Sequence, residues 1–217
     1  RRAGYLEVEE CVRAHAGLAV QSGAHLAIGP AVLSWRALAS GVEVVTERET
    51  YRADSLVISA GAWASALLSD LGVRFEVKRK PLFWFASQEP RLAETAGAPC
   101  YLYETPAGIF YGFPIRPGET AIKVAEHTGG RFVDDPLKVD RALDPAERDR
   151  VADFVTKALP GVSREVTRHA VCLYTMSPDE NFVVDRHPEH PQVVFAAGLS
   201  GHGFKFCSVV GEIMAEL

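Results

Sequence analysis

Five consecutive apolar residues, Val193 to Ala197, run into the turn Gly198-Leu199-Ser200-Gly201-His202-Gly203. Beyond it, Phe206, Val209, Val210 and Ile213 recur at i, i+3, i+4 and i+7. The order predicts strand, glycine turn and helix. Three glycines in six residues let the backbone take positive φ and let a ligand approach with no Cβ in the way. The start of the helix leaves N–H groups unpaired and carries a partial positive charge. An anion or an electron-rich ring suits such a turn. Lys205, in the first helical turn, adds a full positive charge.

A chain of 217 residues holds one large domain or two small ones. No apolar run approaches the ~20 residues of a membrane span, and Arg1-Arg2-Ala3-Gly4 leads into no apolar stretch, so neither a membrane partner nor a signal peptide is expected. A net charge of −5 argues against non-specific nucleic-acid binding. Cys11, Cys100, Cys172 and Cys207 are far apart and form no C-x-x-C pair. Neither a metal site nor a disulfide framework is expected, and a reducing cytoplasm fits.

The earlier part of the chain predicts a helix over 4–22, with Leu6, Cys11, Val12, Leu18 and Ala19 sharing a buried stripe and Gly23 as its stop. Strands are expected at 24–28, 31–38 and 41–46, the last with Val42, Val44 and Thr46 on one side, and a short strand and turn at 50–54. Ser55-Leu56-Val57-Ile58-Ser59-Ala60-Gly61 is a continuous apolar strand with a small-residue exit, followed by a helix over 62–71. That is the pattern of a parallel sheet. From Phe75 the character changes: 77–88, 100–103, 109–114 and 120–125 read as strands, with a turn at Arg116-Pro117-Gly118-Glu119. Asp144-Pro145 opens a helix that Pro160-Gly161 closes, and 165–175 is extended. This block reads as an antiparallel sheet set between two pieces of a parallel one.

Two motifs carry a resemblance. GLSGHGFKF at 198–206 and CLYTMSPDENFVVD at 172–185 are similar to segments of the monomeric sarcosine oxidase and N-methyltryptophan oxidase family, flavin amine oxidases of the D-amino-acid-oxidase-like superfamily. The likeness extends from Gly4 to Leu217. It implies an α/β plus α+β protein: a partial FAD-binding, Rossmann-like domain at 1–74 and 171–217, and an antiparallel-sheet substrate domain at 75–170. The G-x-G-x-x-G that cradles an FAD pyrophosphate occurs nowhere in the sequence. The resemblance therefore implies a truncated chain that is inactive by itself.

The resemblance also assigns residues. Lys123, Ala125 and His127 share one face of a strand by its period of two. Lys123 resembles the family's lysine that activates O2 beside the flavin, and His127 and Tyr111 resemble substrate-pocket residues. The spacing from Tyr111 to Lys123 is one residue longer than the family pattern, which the turn at 116–119 can absorb. Cys172 resembles the cysteine bonded to the 8α-methyl of FAD, and Tyr174 shares its face. Lys205 resembles the residue binding the substrate carboxylate. Gly201, His202 and Gly203 would face the pyrimidine end of the flavin, and Val32 would touch the adenine end. Asp179 and Glu180 read as turn carboxylates. The implied reaction is oxidation of a small-molecule secondary amine, sarcosine or another N-methyl amino acid, by O2 to an imine and hydrogen peroxide. Another amino-acid oxidase or dehydrogenase of the same fold, or an inactive fragment without FAD, is the alternative. Oligomeric state is left open.

Overall fold

The computed structural model describes residues 4–217, which divide into two compact units. One comprises Leu6–Glu76 and Thr175–Leu217; the other comprises Val77–Tyr174 with the lead-in that ends at Tyr5.

The first unit begins with helix α1, Val8–Gln21. It ends as its sequence predicts: Gly23 takes φ +96°, and the Gly23 and Ala24 N–H groups bond back to the carbonyls of Val20 and Ala19 at 3.0 and 2.9 Å. The expected buried stripe is not found. No residue of α1 is buried, and Leu18 is 60% exposed. Periodicity reports the face that a helix offers, not whether something covers it. The strand expected at 24–28 is also absent, with Ile28 81% exposed. The Ala24 N–H is spent on the helix end, and alternation without a ladder partner makes no strand.

Strands β1 (Val32–Ala37), β2 (Val42–Thr46) and β3 (Thr50–Ala53) form an antiparallel meander. Glu43 is buried beside Val42, which the alternation did not anticipate. It lies directly between Arg36 and Arg52 on the flanking strands, and both guanidiniums donate to it. First Arg36 and then Arg52 hold its carboxyl below the usual range. Strand β4 (Leu56–Ile58) leads into a broken helical stretch. The expected single helix over 62–71 is instead a 3-10 turn at Gly61–Trp63, a short α2 (Ala64–Leu67) and a second 3-10 turn at Ser69–Leu71. Leu68 leaves helical geometry at φ −126° and is fully buried, so packing overrides local propensity there.

The second unit carries β5 (Glu76–Ser87), β6 (Tyr101–Thr105), β7 (Gly108–Phe113), β8 (Ala121–Glu126), β9 (Arg131–Phe132), α3 (Pro145–Ala158) and β10 (Val162–Met176). The sheet runs β10-β5-β8-β7-β6, with β9 also paired to β5. The turn between β7 and β8 closes with a Glu119 N–H to Arg116 carbonyl bond of 2.9 Å, and Gly118 takes φ +81°. Pro at the first central position and a positive-φ Gly at the next make it type II. Phe83, Phe85, Phe110, Ile122 and Val124 on the strands pack with Val151, Phe154 and Val155 of α3. One face of the sheet thus serves the core. Asp144 caps α3, its Oδ1 accepting from the Ala146 and Glu147 N–H groups at 2.8 and 3.4 Å. Asp144→Ala is expected to cost about 1 kcal/mol in urea denaturation; an unchanged midpoint would mean that solvent satisfies those donors equally well.

The first unit resumes with β11 (Val183–Arg186), β12 (Val193–Ala197) and α4 (Cys207–Glu216). Strand β12 lies parallel to β4 and antiparallel to β11, and all five of its residues are buried. This is the fully covered strand that the apolar run predicted. On α4 only Val210 is buried; Phe206, Val209 and Ile213, expected beside it, are exposed.

Candidate active site

The sheet of the second unit has a second face, and register fills it. Trp84 on β5 lies opposite Lys123 on β8, which lies opposite Phe113 on β7. The next row is Leu82, Ala125 and Tyr111. Strand period places His127 one step further along the same face. Lys123, half-buried, has its Nζ 5.3 Å from the Trp84 ring centroid and 5.0 Å from that of Phe113. Trp84 also carries the Arg168 guanidinium at 3.9 Å. Two rings beside one ammonium restrict where it points and attract it electrostatically.

Tyr111, His127 and Tyr174 form one aromatic group. Ring centroids are 6.4 Å apart for Tyr111 and His127 and 5.7 Å for His127 and Tyr174. The Tyr111 and Tyr174 hydroxyls pair with each other. Burial, above all, pushes the Tyr111 phenol far up, and the neighbouring Tyr174 and Cys172 add to the rise. Burial likewise raises Tyr174, although its pairing with Tyr111 opposes the rise. Both phenols therefore stay protonated at neutral pH. Cys172 lies two residues before Tyr174 on β10, exposed and not in a disulfide. Its neighbour Val171 is buried, so the alternation of β10 turns the thiol away from the core.

The remaining candidates belong to the first unit. The turn after β12 uses positive φ at Gly198 (59°), Ser200 (48°) and Gly201 (82°). Ser200 is the part that the sequence reading missed. It is buried, its N–H bonds the Thr175 carbonyl at 2.9 Å, and its Oγ donates to the Gly198 carbonyl at 2.9 Å and accepts from the Ser177 N–H at 3.3 Å. A serine between glycines, paired with the serine of the Ser177-Pro178 step, is the signal that could have shown it. Asp179 accepts from Asn181 N and Nδ2, both at 3.1 Å, so it shapes its own turn. Gly203 lacks room for a side chain, since a Cβ there would meet Leu199 at 2.6 Å. The exposed His202 ring lies 4.9 Å from Phe182. Lys205, exposed, falls in a 3-10 turn at Phe204–Phe206 that precedes α4. Val32, 47% exposed, opens β1.

Two other features bound this picture. A cavity of about 720 Å³ lies between α3 and the β6–β7 hairpin, lined by Tyr103, Phe110, Arg150, Phe154 and Lys157, and none of the candidate residues borders it. Among the described residues, Asp70, His187 and His190 bring three potential metal-ligand atoms within 4.8 Å of one another. His187 is already engaged: Nδ1 accepts the Glu189 N–H at 3.3 Å, so Nε2 carries the proton and donates to Asp70 at 3.2 Å.

The sheet of the second unit thus has its core on one face and an aromatic and lysine group on the other, and the first unit carries a strand and glycine turn in a partly parallel sheet. The chain belongs to the FAD dependent oxidoreductase family, which matches residues 1–217. It is 38% identical to monomeric sarcosine oxidase of Bacillus sp. (strain B-0618), covering 99% of this chain and 55% of that protein. It is 34% identical to N-methyl-L-tryptophan oxidase of Yersinia pestis (strain Pestoides F), covering 99% and 57%. Among solved structures it is similar to NikD, an unusual amino acid oxidase essential for nikkomycin biosynthesis, with a TM-score of 0.78, 25% identity, and 94% and 55% coverage. The chain thus spans little more than half the length of these relatives. Among the described residues no helix is long and apolar enough to cross a membrane.

Proposed function

We propose that the protein is an FAD-dependent amine oxidase. It oxidises a secondary amine, sarcosine or another N-methyl amino acid, with O2 to an imine and hydrogen peroxide, and water then splits the imine to an aldehyde and the smaller amine. The observation that carries this reading is the exposed Cys172 thiol on the strand of Tyr174, whose hydroxyl pairs with Tyr111 and whose ring neighbours His127. A thiol so presented fits a covalent bond to the flavin. FAD, when bound, supplies the two-electron chemistry between amine and O2.

The residues have separate tasks in this reading. Tyr111 and His127 shape the amine pocket, and the Tyr174 phenol braces Tyr111. Lys205 holds the substrate carboxylate by charge. Lys123 stabilises negative charge that develops on O2. Gly201, His202 and Gly203 would hold the pyrimidine end of the flavin, beside a helix start that favours negative charge. Val32 contacts the adenine end through its backbone. Domain tasks follow, with residues 75–170 handling the substrate and 1–74 and 171–217 the cofactor. The four cysteines, far apart and without a C-x-x-C pair, suit the reducing cytoplasm.

Acid precipitation of the FAD-loaded protein tests the tether. Yellow colour is expected to stay with the pellet, and Cys172→Ser is expected to release it to the supernatant. Flavin that leaves the wild-type pellet would remove the covalent link. Peroxide release across a panel of N-methyl amino acids tests the reaction, and a panel with no turnover would overturn it.

A further inference from the structure

We propose that Lys80 is the positioning residue of the amine pocket: its ammonium clamps three successive backbone carbonyls at the His127 turn and rests against the Tyr174 ring. The inference builds on the reading of His127 and Tyr174 given above. Lys80 is 2% exposed, among the most deeply buried side chains of its size in the chain. Its Nζ donates to the carbonyls of His127, Thr128 and Gly129 at 3.0, 2.7 and 3.3 Å, and lies 5.3 Å from the centroid of Tyr174.

The strand makes room for this. Residues Lys78 and Arg79 pair with β9, whereas pairing with β8 starts at Leu82. Lys80 and Pro81 fall in the gap, where a proline without an N–H interrupts neither the β8 nor the β9 pairing. The chain leaving β8 crosses that gap with Gly129 and Gly130 at φ +68° and +97°. Three consecutive carbonyls then converge on one point. Their oxygens repel one another unless a donor group sits between them. An ammonium is a compact charge with three rotatable N–H groups, which matches three acceptors; a planar guanidinium matches two at best.

Burial is unfavourable for this cation and pushes its pKa down to about 8, although Glu126 opposes the shift. It remains mostly charged at neutral pH. A hydrophobic residue would fill the gap without that cost, so the charge is retained for what it holds. It holds the main chain of His127 and the face of Tyr174, and through them the two rings that flank Tyr111. Lys80 touches neither substrate nor flavin in this account.

Two measurements need no turnover. The Lys80 ammonium protons are expected to exchange slowly with water by nitrogen-detected NMR, whereas exchange as fast as that of an exposed lysine would overturn the clamp. In Lys80→Met the imidazole signals of His127 are expected to shift or broaden while those of the other six histidines stay in place. In the FAD-loaded protein the same variant is expected to raise KM for the amine by about tenfold or more with little change in the O2 step, and Lys80→Arg to recover part of the loss. A merely structural role would lower the folded fraction without that split. An unchanged KM together with unchanged His127 signals would overturn the proposal, even in an active oxidase. Conversely, a protein that shows no oxidase activity but shifted His127 signals would sink the oxidase reading and leave the clamp standing.

Discussion

Lys123→Met is expected to slow the reaction of the reduced, FAD-loaded protein with O2 by about 10²–10³-fold, the usual loss when one preorganised electrostatic donor is removed. The step in which the amine reduces the protein should change only a few-fold. The argument rests on where the ammonium is held. Lys123 lies in a cross-strand row between Trp84 and Phe113, each about one ring contact away at 5.3 and 5.0 Å. Methionine keeps much of the length and the packing against both rings while removing the charge. Stopped-flow mixing separates the steps: anaerobic mixing with amine reads one, and mixing the reduced protein with oxygenated buffer reads the other. An O2 step unchanged in the variant would take Lys123 out of the mechanism. A wild-type protein that amine reduces but O2 leaves reduced would be a dehydrogenase of this fold.

Glu147→Ala is expected to destabilise the second unit by about 3–5 kcal/mol, the cost of leaving a buried cation without its partner. Arg79 has a side chain only 3% exposed and pairs directly with Glu147 of α3. It also donates to the carbonyls of Asp140 and Ala142 at 2.7 and 2.6 Å, so it ties the approach to α3 onto β5. Burial, and then the nearby charge of Arg131, pushes its pKa down, yet a guanidinium stays charged at any working pH. Removing the carboxylate therefore leaves the buried Arg79 charge without its ion-pair partner, and it leaves Arg131, whose Nε lies 3.3 Å from Glu147, with Asp144 at 3.2 Å. Urea denaturation followed by tryptophan fluorescence measures the loss. The double variant Arg79→Met, Glu147→Leu should recover most of it, because matched apolar groups need no counter-charge. A loss under about 1 kcal/mol in the single variant would show that the carbonyls alone satisfy Arg79.

Strong local signals were readable from the residues. The apolar runs at 56–58 and 193–197 are the parallel strands of a partly parallel sheet, the second of them fully buried, and Asp144-Pro145 caps α3. The family was readable from two motifs, and the match spans the chain. What escaped was set by partners distant in sequence. The exposed stripes of α1 and α4 carry a proper helical period, and period cannot say whether a face is covered. Glu43 looked like a solvent-facing residue until two arginines from flanking strands closed over it. Lys80 stood in the apolar strand 76–87 as one more charge beside Lys78 and Arg79, and only the change of pairing at Pro81 explains it. Ser200 depended on Thr175 and Ser177, more than twenty residues earlier. For the candidate site, strand period alone placed Lys123 with His127 and Cys172 with Tyr174, while the hydroxyl pair of Tyr111 and Tyr174 needed three dimensions.

Strand β8 divides its labour residue by residue: Ile122 and Val124 belong to the core under α3, while Lys123 and Ala125 point the opposite way. A substitution at Ile122 or Val124 draws on folding free energy, as does one at Ala125, only 1% exposed, whereas one at the half-buried Lys123 does so less. Descendants of such a strand can therefore exchange the group at position 123 without first acquiring a reserve of stability.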